Sequence, residues 1–312
     1  MPIVKPSEMD FSEKNIIMII SGLPGTGKTT LALSAPDVLL IDADEGICRV
    51  KTEHRKDASI CKSYEEIKSD IEAAKGHYKT IVIDTAGALI DYLKDWAIRT
   101  DPKASKTNGG ISLQGFGVVK QEFLRLSAEL RKDFNVVFLF HESMTKNNED
   151  IFYELVCEGS ARTLVYQPAD LAAHLFIQNG KRILGFTPTE QYTAKSAYGI
   201  KGLVTVPELK EGEENNFLAK LFSTVRKNLK VEAEDLAPKT EEYEKLMSEA
   251  KELVGDVQKP EDITLVLDAI SKMPHVLTSE KEIKKMLGDR MKELNIGYDK
   301  KTKAYVYVEP KS

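Results

Sequence analysis

Residues Gly22 to Thr29 read Gly-Leu-Pro-Gly-Thr-Gly-Lys-Thr, a G-x-x-x-x-G-K-[ST] segment between the apolar run Ile16 to Ile20 and a helix-patterned stretch from Lys28 to Ser34. No other feature constrains the chain as strongly. A strand, a glycine turn and a helix in that order leave several backbone N–H groups facing one concavity at the positive end of the helix, which suits phosphate oxygens. In this reading Gly22, Leu23, Pro24, Gly25, Thr26, Gly27, Lys28, Thr29 and Thr30 cradle the phosphates of ATP or GTP. Lys28 reaches the β- and γ-phosphates, and Thr29 offers its hydroxyl to Mg²⁺. The three glycines remove Cβ atoms that would hold the backbone away from the ligand.

The apolar runs Ile16 to Ile20, Val38 to Ile41, Ile81 to Ile83 and Val136 to Phe140 are rich in β-branched residues and do not alternate. Strands buried on both faces of a parallel sheet have this pattern. Helical patterns separate them at Lys28 to Ser34, Tyr64 to Ala74, Ala86 to Ile98 and Gly117 to Asp133. The expectation is an α/β fold, a P-loop core with a mostly parallel central sheet, whose ligands sit at the carboxyl ends of the strands. Leu171 to Gln178 and Arg182 to Thr187 flank Asn179-Gly180, a hairpin signal expected to extend the sheet with antiparallel strands. Residues 1–230 are expected to form this core and 231–260 an acidic helical linker. Residues 261–312 are expected to be a small, mainly helical carboxy-terminal module, with helices at Ile263 to Ser271 and Glu280 to Leu294 and a strand-like Ala304 to Val308. Mixed charges on its second helix favour a docking or oligomerisation role over DNA binding.

Composition removes other classes. No apolar run approaches the roughly 20 residues of a membrane span, so no membrane partner is expected. Cys48, Cys61 and Cys157 are widely spaced, fitting buried thiols in a reducing, cytoplasmic location. The net charge is −5, and residues 231–260 alone carry nine Asp/Glu against four Lys/Arg. Any nucleic-acid contact must therefore come from local basic loops.

Several further residues fit a nucleotide site. Asp84 ends an apolar strand about fifty residues after the loop, the place from which a carboxylate holds Mg²⁺ with Thr29. Asp42, Asp44 and Glu45 end another strand, and one of them can polarise an attacking water; Glu142 competes for that role. His141 closes Val136 to Phe140 and is placed to distinguish ATP from ADP. Two loops carry the Lys, Arg, Asn and Gly that track a single-stranded phosphate backbone: one with Arg99, Lys103 and Lys106, the other with Lys146, Asn147 and Asn148.

Taken together, Gly22 to Thr29, Leu40 to Asp44, Ile81 to Thr85 and His141 resemble the ATPase core of RecA/RadA-type recombinases over about residues 14 to 206. More specifically, the chain resembles compact phage-encoded ATPases of that superfamily. The resemblance implies ATP and Mg²⁺ as cofactors and single-stranded DNA as partner. It also implies a homo-oligomer or filament, a single-strand DNA-binding protein as companion, annealing or recombination as the task, and a phage or prophage protein in the host cytoplasm. Relatives place a Lys-x-Arg element from a neighbouring subunit at the γ-phosphate; Ala194 to Ala197 keeps Lys195 and lacks the Arg, with Lys201 as an alternative. A P-loop kinase or phosphotransferase, and a non-hydrolysing ATP-gated binding module, are the competing readings.

Overall fold

The apolar runs become strands because their β-branched side chains fill both faces of a pleated layer, and the polar turn residues between them release the chain. The computed structural model describes residues 13–147, 150–157, 161–210 and 212–308. It divides into two compact units, one spanning Glu13–Asn228 and the other taking up the chain from Leu229.

The first unit contains β1 (Ile17–Gly22), α1 (Lys28–Ala32), β2 (Val38–Asp42), β3 (Ala58–Ile60), α2 (Tyr64–Ala74), β4 (Thr80–Asp84), α3 (Ala86–Thr100) and α4 (Leu113–Asp133). It continues through β5 (Asn135–Asn147), β6 (Asp150–Leu155), α5 (Ala161–Leu164), β7 (Leu171–Gln178), β8 (Lys181–Gly185) and β9 (Leu203–Val206). Among the described residues the sheet order is β3-β2-β4-β5-β1-β7-β8-β9, with β6 paired to the far part of β5. From β3 to β7 all neighbours are parallel, whereas β6, β8 and β9 pair antiparallel.

One expectation is corrected here. β7, the first strand of the Asn179-Gly180 hairpin, lies parallel to β1, and beyond it β8 and β9 extend the sheet antiparallel as expected. The chain between β6 and β7 passes through α5 and is long enough for the crossover that a parallel neighbour requires.

Every residue of β1, β2 and β4 is buried. Ile17, Ile19, Ile41, Ile83, Phe138 and their same-face neighbours share one core with Ile67, Leu89, Leu93, Phe123 and Leu126 from α2, α3 and α4. The alternate residues Met18, Ile20, Leu40, Val82, Val137 and Leu139 are fully buried on the opposite face. Cys61 is buried as expected, but Cys48 is exposed.

α6 runs Phe217–Gly255 with Pro238 inside it. The acidic stretch, expected to be a helical linker, is helical for most of its length and continuous with the helix that begins at Phe217. Its Glu, Ala, Lys and Leu residues are strong helix formers and outweigh a single proline. In the second unit, α7 (Pro260–Lys272), α8 (Ser279–Glu293), β10 (Ile296–Asp299) and β11 (Ala304–Tyr307) follow. Ala250, Val254, Ile263, Ile270, Ile283 and Ile296 belong to its own core. β11 is the strand expected at Ala304 to Val308; its antiparallel partner β10 was not read from the sequence. The α8 charges are largely neutralised along the helix, as in Lys284–Glu280 (2.5 Å) and Lys292–Asp289 (2.8 Å).

Candidate nucleotide and catalytic site

Parallel strands deliver their carboxyl ends to one edge of the sheet, and four adjacent strands reach it with polar or glycine residues. Asp42 of β2 lies in register with Asp84 of β4, and Gly22 of β1 with His141 of β5.

The phosphate loop crosses this edge. Gly25 and Gly27 take φ of 81° and 90°, a left-handed conformation that costs other L-residues about 1–2 kcal/mol. Gly22 is needed for close approach: a Cβ there would lie 2.4 Å from the Leu175 carbonyl oxygen of β7. Leu23 and Thr26 tie the loop to itself, Thr26 Oγ1 donating to Leu23 O at 2.9 Å, while Pro24 and Gly25 are exposed at its crest. Lys28 is buried and lies across the loop, donating from Nζ to Gly22 O (2.9 Å) and Leu23 O (3.1 Å). Burial lowers its pKa, against the charges of Asp84, Glu142 and Asp44.

α1 is only five residues long, shorter than expected. Ser34 and Ala35 turn off it with bonds to Leu31 O and Ala32 O, and Pro36 disfavours helical geometry just before it. Anion binding therefore falls to the loop amides and Lys28 rather than to a long helix dipole. Thr30 closes the segment, its carbonyl accepting from Asn215 Nδ2 at 2.7 Å.

Thr29 Oγ1 donates to Asp84 Oδ2 at 2.6 Å. Burial pushes the Asp84 carboxyl up to about 6, helped by the charges of Asp44 and Asp42 and opposed by the Thr29 hydrogen bond and Lys28. A buried carboxyl held up by neighbouring acids suits a cation beside it. Among the described residues no group of three or more His, Cys, Asp or Glu forms an all-protein metal cage. Thr29 with Asp84 is instead the sparse donor set that Mg²⁺ accepts when phosphates complete its shell, so these residues fit the metal.

At the end of β2 the three acids separate. Asp42 is fully buried and accepts Gly46 N (2.8 Å) and Ile47 N (2.9 Å), so it shapes the turn. Glu45 is exposed, at φ 56°. Asp44 points toward β5: its Oδ2 lies 4.0 Å from His141 Nε2 and 3.8 Å from Arg49 Nη1. Asp44 Oδ1 and His141 Nδ1 are both buried without a hydrogen-bond partner among the described residues. Burial, with the Lys28 and Arg49 charges, lowers the His141 pKa against Asp44, which favours the neutral ring. Unpaired polar atoms in such a cleft are where a ligand makes its bonds. Glu142 instead faces the interior. Its Oε2 lies 2.7 Å from His174 Nδ1 without hydrogen-bond alignment, and both side chains are buried. The His174 ring stacks on Tyr192 with centroids 4.4 Å apart.

The outlying candidates are dispersed. Lys195 is exposed and donates to Tyr166 O at 3.2 Å. Arg99 is held by both Glu65 oxygens (3.2 and 3.1 Å), whereas Lys103 and Lys106 are exposed. Lys146 is exposed near the end of β5 and Asn147 ends that strand; Asn148 lies outside the described residues. Sequence reading missed Arg182 of β8, whose Nε donates to Thr26 O in the phosphate loop at 2.9 Å. Its only local signal is a basic pair, Lys181-Arg182, opening a strand; the proximity to Thr26 is created by sheet order.

A phosphate loop at the end of a central parallel strand, with a Thr–Asp pair beside it, defines a P-loop nucleoside triphosphatase. A family model described as an AAA domain matches residues 14–198, more than half of the chain, and the chain belongs to that family. Membership indicates a nucleotide-binding ATPase. A search of curated proteins finds no match.

Proposed function

We propose that the protein is a RecA-like, Mg²⁺-dependent ATPase that binds single-stranded DNA and promotes annealing or recombination in phage DNA metabolism. One observation carries the DNA part of this reading. β5 runs without interruption from His141, beside Asp44, through the exposed Lys146 to its end at Asn147, with β6 folded back on it. A hairpin rooted in the nucleotide site and carrying the exposed Lys146 toward its far end can couple the γ-phosphate to a nucleic-acid backbone.

In the mechanism, Lys28 leaves the carbonyls of Gly22 and Leu23 for the phosphates. Thr29 and Asp84 would hold Mg²⁺, which when bound would supply positive charge against the phosphate oxygens. Asp44 accepts a hydrogen bond from the attacking water and orients it, and neutral His141 donates or accepts at the γ-phosphate side. Glu142, paired with His174, positions the root of the hairpin. Lys195 is offered to the site of a neighbouring chain in an oligomer or filament, and Lys103, Lys106 and Lys146 contact DNA. A single-strand DNA-binding protein is the companion expected in this setting.

The phosphotransferase alternative needs arginines free to close over the phosphates. Between residues 99 and 162, Arg99, Arg125, Arg131 and Arg162 are engaged by Glu65, Glu122, Asp170 and Glu154, which argues against a lid drawn from that stretch. The test is steady-state ATP hydrolysis with single-stranded DNA, with duplex DNA and without DNA, beside Lys28→Ala. Stimulation by single strands that disappears in Lys28→Ala is expected. Absence of stimulation, together with absence of ATP-dependent DNA binding, would remove DNA from the account.

A further inference from the structure

Arg182 stands where the sequence suggested no cation. It lies on β8, two strands from β1 in the sheet order, and its Nε holds the Thr26 carbonyl. A Cβ built on Gly27 would meet that Nε at 2.9 Å and Cζ at 3.5 Å. The guanidinium therefore packs directly on the phosphate loop, and the glycine is what admits it. Its remaining N–H donors have no partner among the described residues.

Beside it opens a cleft of ≈ 650 Å³, lined at the loop end by Gly27 and Thr30 and elsewhere by Lys51, Lys220, Val206 and Phe217. That volume falls in the range of about 300–1,000 Å³ usual for small-molecule sites. Glu208, Glu213 and Glu214 also line it; Glu213 and Glu214 each accept a local hydrogen bond, from Lys210 N and Asn216 Nδ2. Apolar walls, lysines without a side-chain partner among the described residues and a guanidinium at the phosphate loop together match a nucleoside carrying phosphates. A planar fork of donors is also better suited than an ammonium to bridging phosphate oxygens.

We infer that Arg182 is a phosphate-positioning residue supplied by the same chain, and that this cleft receives the nucleoside end of the nucleotide. The inference rests on the nucleotide-binding reading above and does not depend on DNA. Because Arg182 touches the loop at Thr26 and Gly27, on the side that opens into the cleft, its contact persists after the γ-phosphate leaves. It therefore supports ADP and ATP alike. Lys195, offered from a neighbouring chain to the γ-phosphate, supports ATP alone.

The test is equilibrium binding of fluorescent ADP and ATP analogues, without DNA, at low and high KCl. Wild type is compared with Lys28→Ala and Arg182→Gln. Gln keeps a donor for Thr26 O and removes the charge, so a merely structural buttress would survive the change. Arg182→Gln is expected to weaken both nucleotides by about ten- to a hundredfold and to flatten the salt dependence of affinity. Should Arg182→Gln not fold, Arg182→Met carries the test, with the same loss expected. Wild-type ADP affinity and salt dependence in the folded Arg182 variant would overturn the inference. Failure of wild type to bind either nucleotide would overturn the reading beneath it, and the inference with it.

Discussion

The two walls of the nucleotide site differ in how their polar groups are satisfied. On the phosphate-loop wall Lys28 holds two loop carbonyls and Thr29 holds Asp84. On the wall formed by the ends of β2 and β5, Asp44 Oδ1 and His141 Nδ1 are buried and unpaired among the described residues. The first wall is preformed, and a ligand exchanges contacts with it. The second is incomplete until a ligand or a water supplies the missing bonds. Binding energy should therefore come from the first wall, and the chemical step from the second.

The strongest way to break this division is Lys28→Ala, which removes the one buried cation of the loop. A loss of about a thousandfold in ATP affinity is expected, measured by titration calorimetry. The apo fold should persist, because burial already disfavours the Lys28 charge.

Asp84→Asn sharpens the same wall through pH. The folded-state pKa of Asp84 is raised from 3.8 to about 6, so its protonated form contributes stability that is fully present below pH 3.8 and lost as the pH rises through about 6. At pH 7 Asp84→Asn is expected to stabilise the apo protein by up to about 3 kcal/mol, with the gain vanishing near pH 4. Chemical denaturation across that range measures it. In the wild type, Mg²⁺-dependent nucleotide binding should weaken below about pH 6, as Asp84 takes up a proton.

The second wall is probed by Asp44→Asn, expected to lower turnover about a hundredfold while ADP affinity stays near wild type. Glu45→Gln, at an exposed position, should change little. Gly46→Ala offers an indirect route: its Cβ would lie 2.8 Å from Asp44 Oδ1, so turnover should fall without loss of any functional group. The smallest effect expected is from Lys146→Ala. It should weaken single-strand binding severalfold and reduce the slope of log affinity against log salt by about 0.7, as for one lost phosphate contact. Arg99→Ala should do less, because Glu65 already engages that guanidinium.

The phosphate loop and Asp84 were legible in the sequence because their requirements are local. A glycine turn must have its glycines, and a strand rich in Ile and Val ending in Asp can be read from five residues. The parallel core was legible for the same reason, since its strands are uniformly apolar. Long-range juxtapositions were not. Arg182 reaches Thr26 across 156 positions only because β7 and β8 continue the sheet from β1, and no spacing rule encodes that. The ranking of Asp42, Asp44, Glu45 and Glu142 likewise depends on side-chain direction. Asp42 turns into its own turn, Glu45 to solvent and Glu142 to His174, leaving Asp44 beside His141. The continuity of α6 was hidden by Pro238, a local signal overridden by the helix formers around it.

The most direct test of the division between the walls is to measure ADP binding and single-turnover ATP hydrolysis on the same preparation of Asp44→Asn. Unchanged ADP affinity with hydrolysis reduced about a hundredfold is the predicted result. Hydrolysis at the wild-type rate, or loss of nucleotide affinity together with turnover, would contradict it.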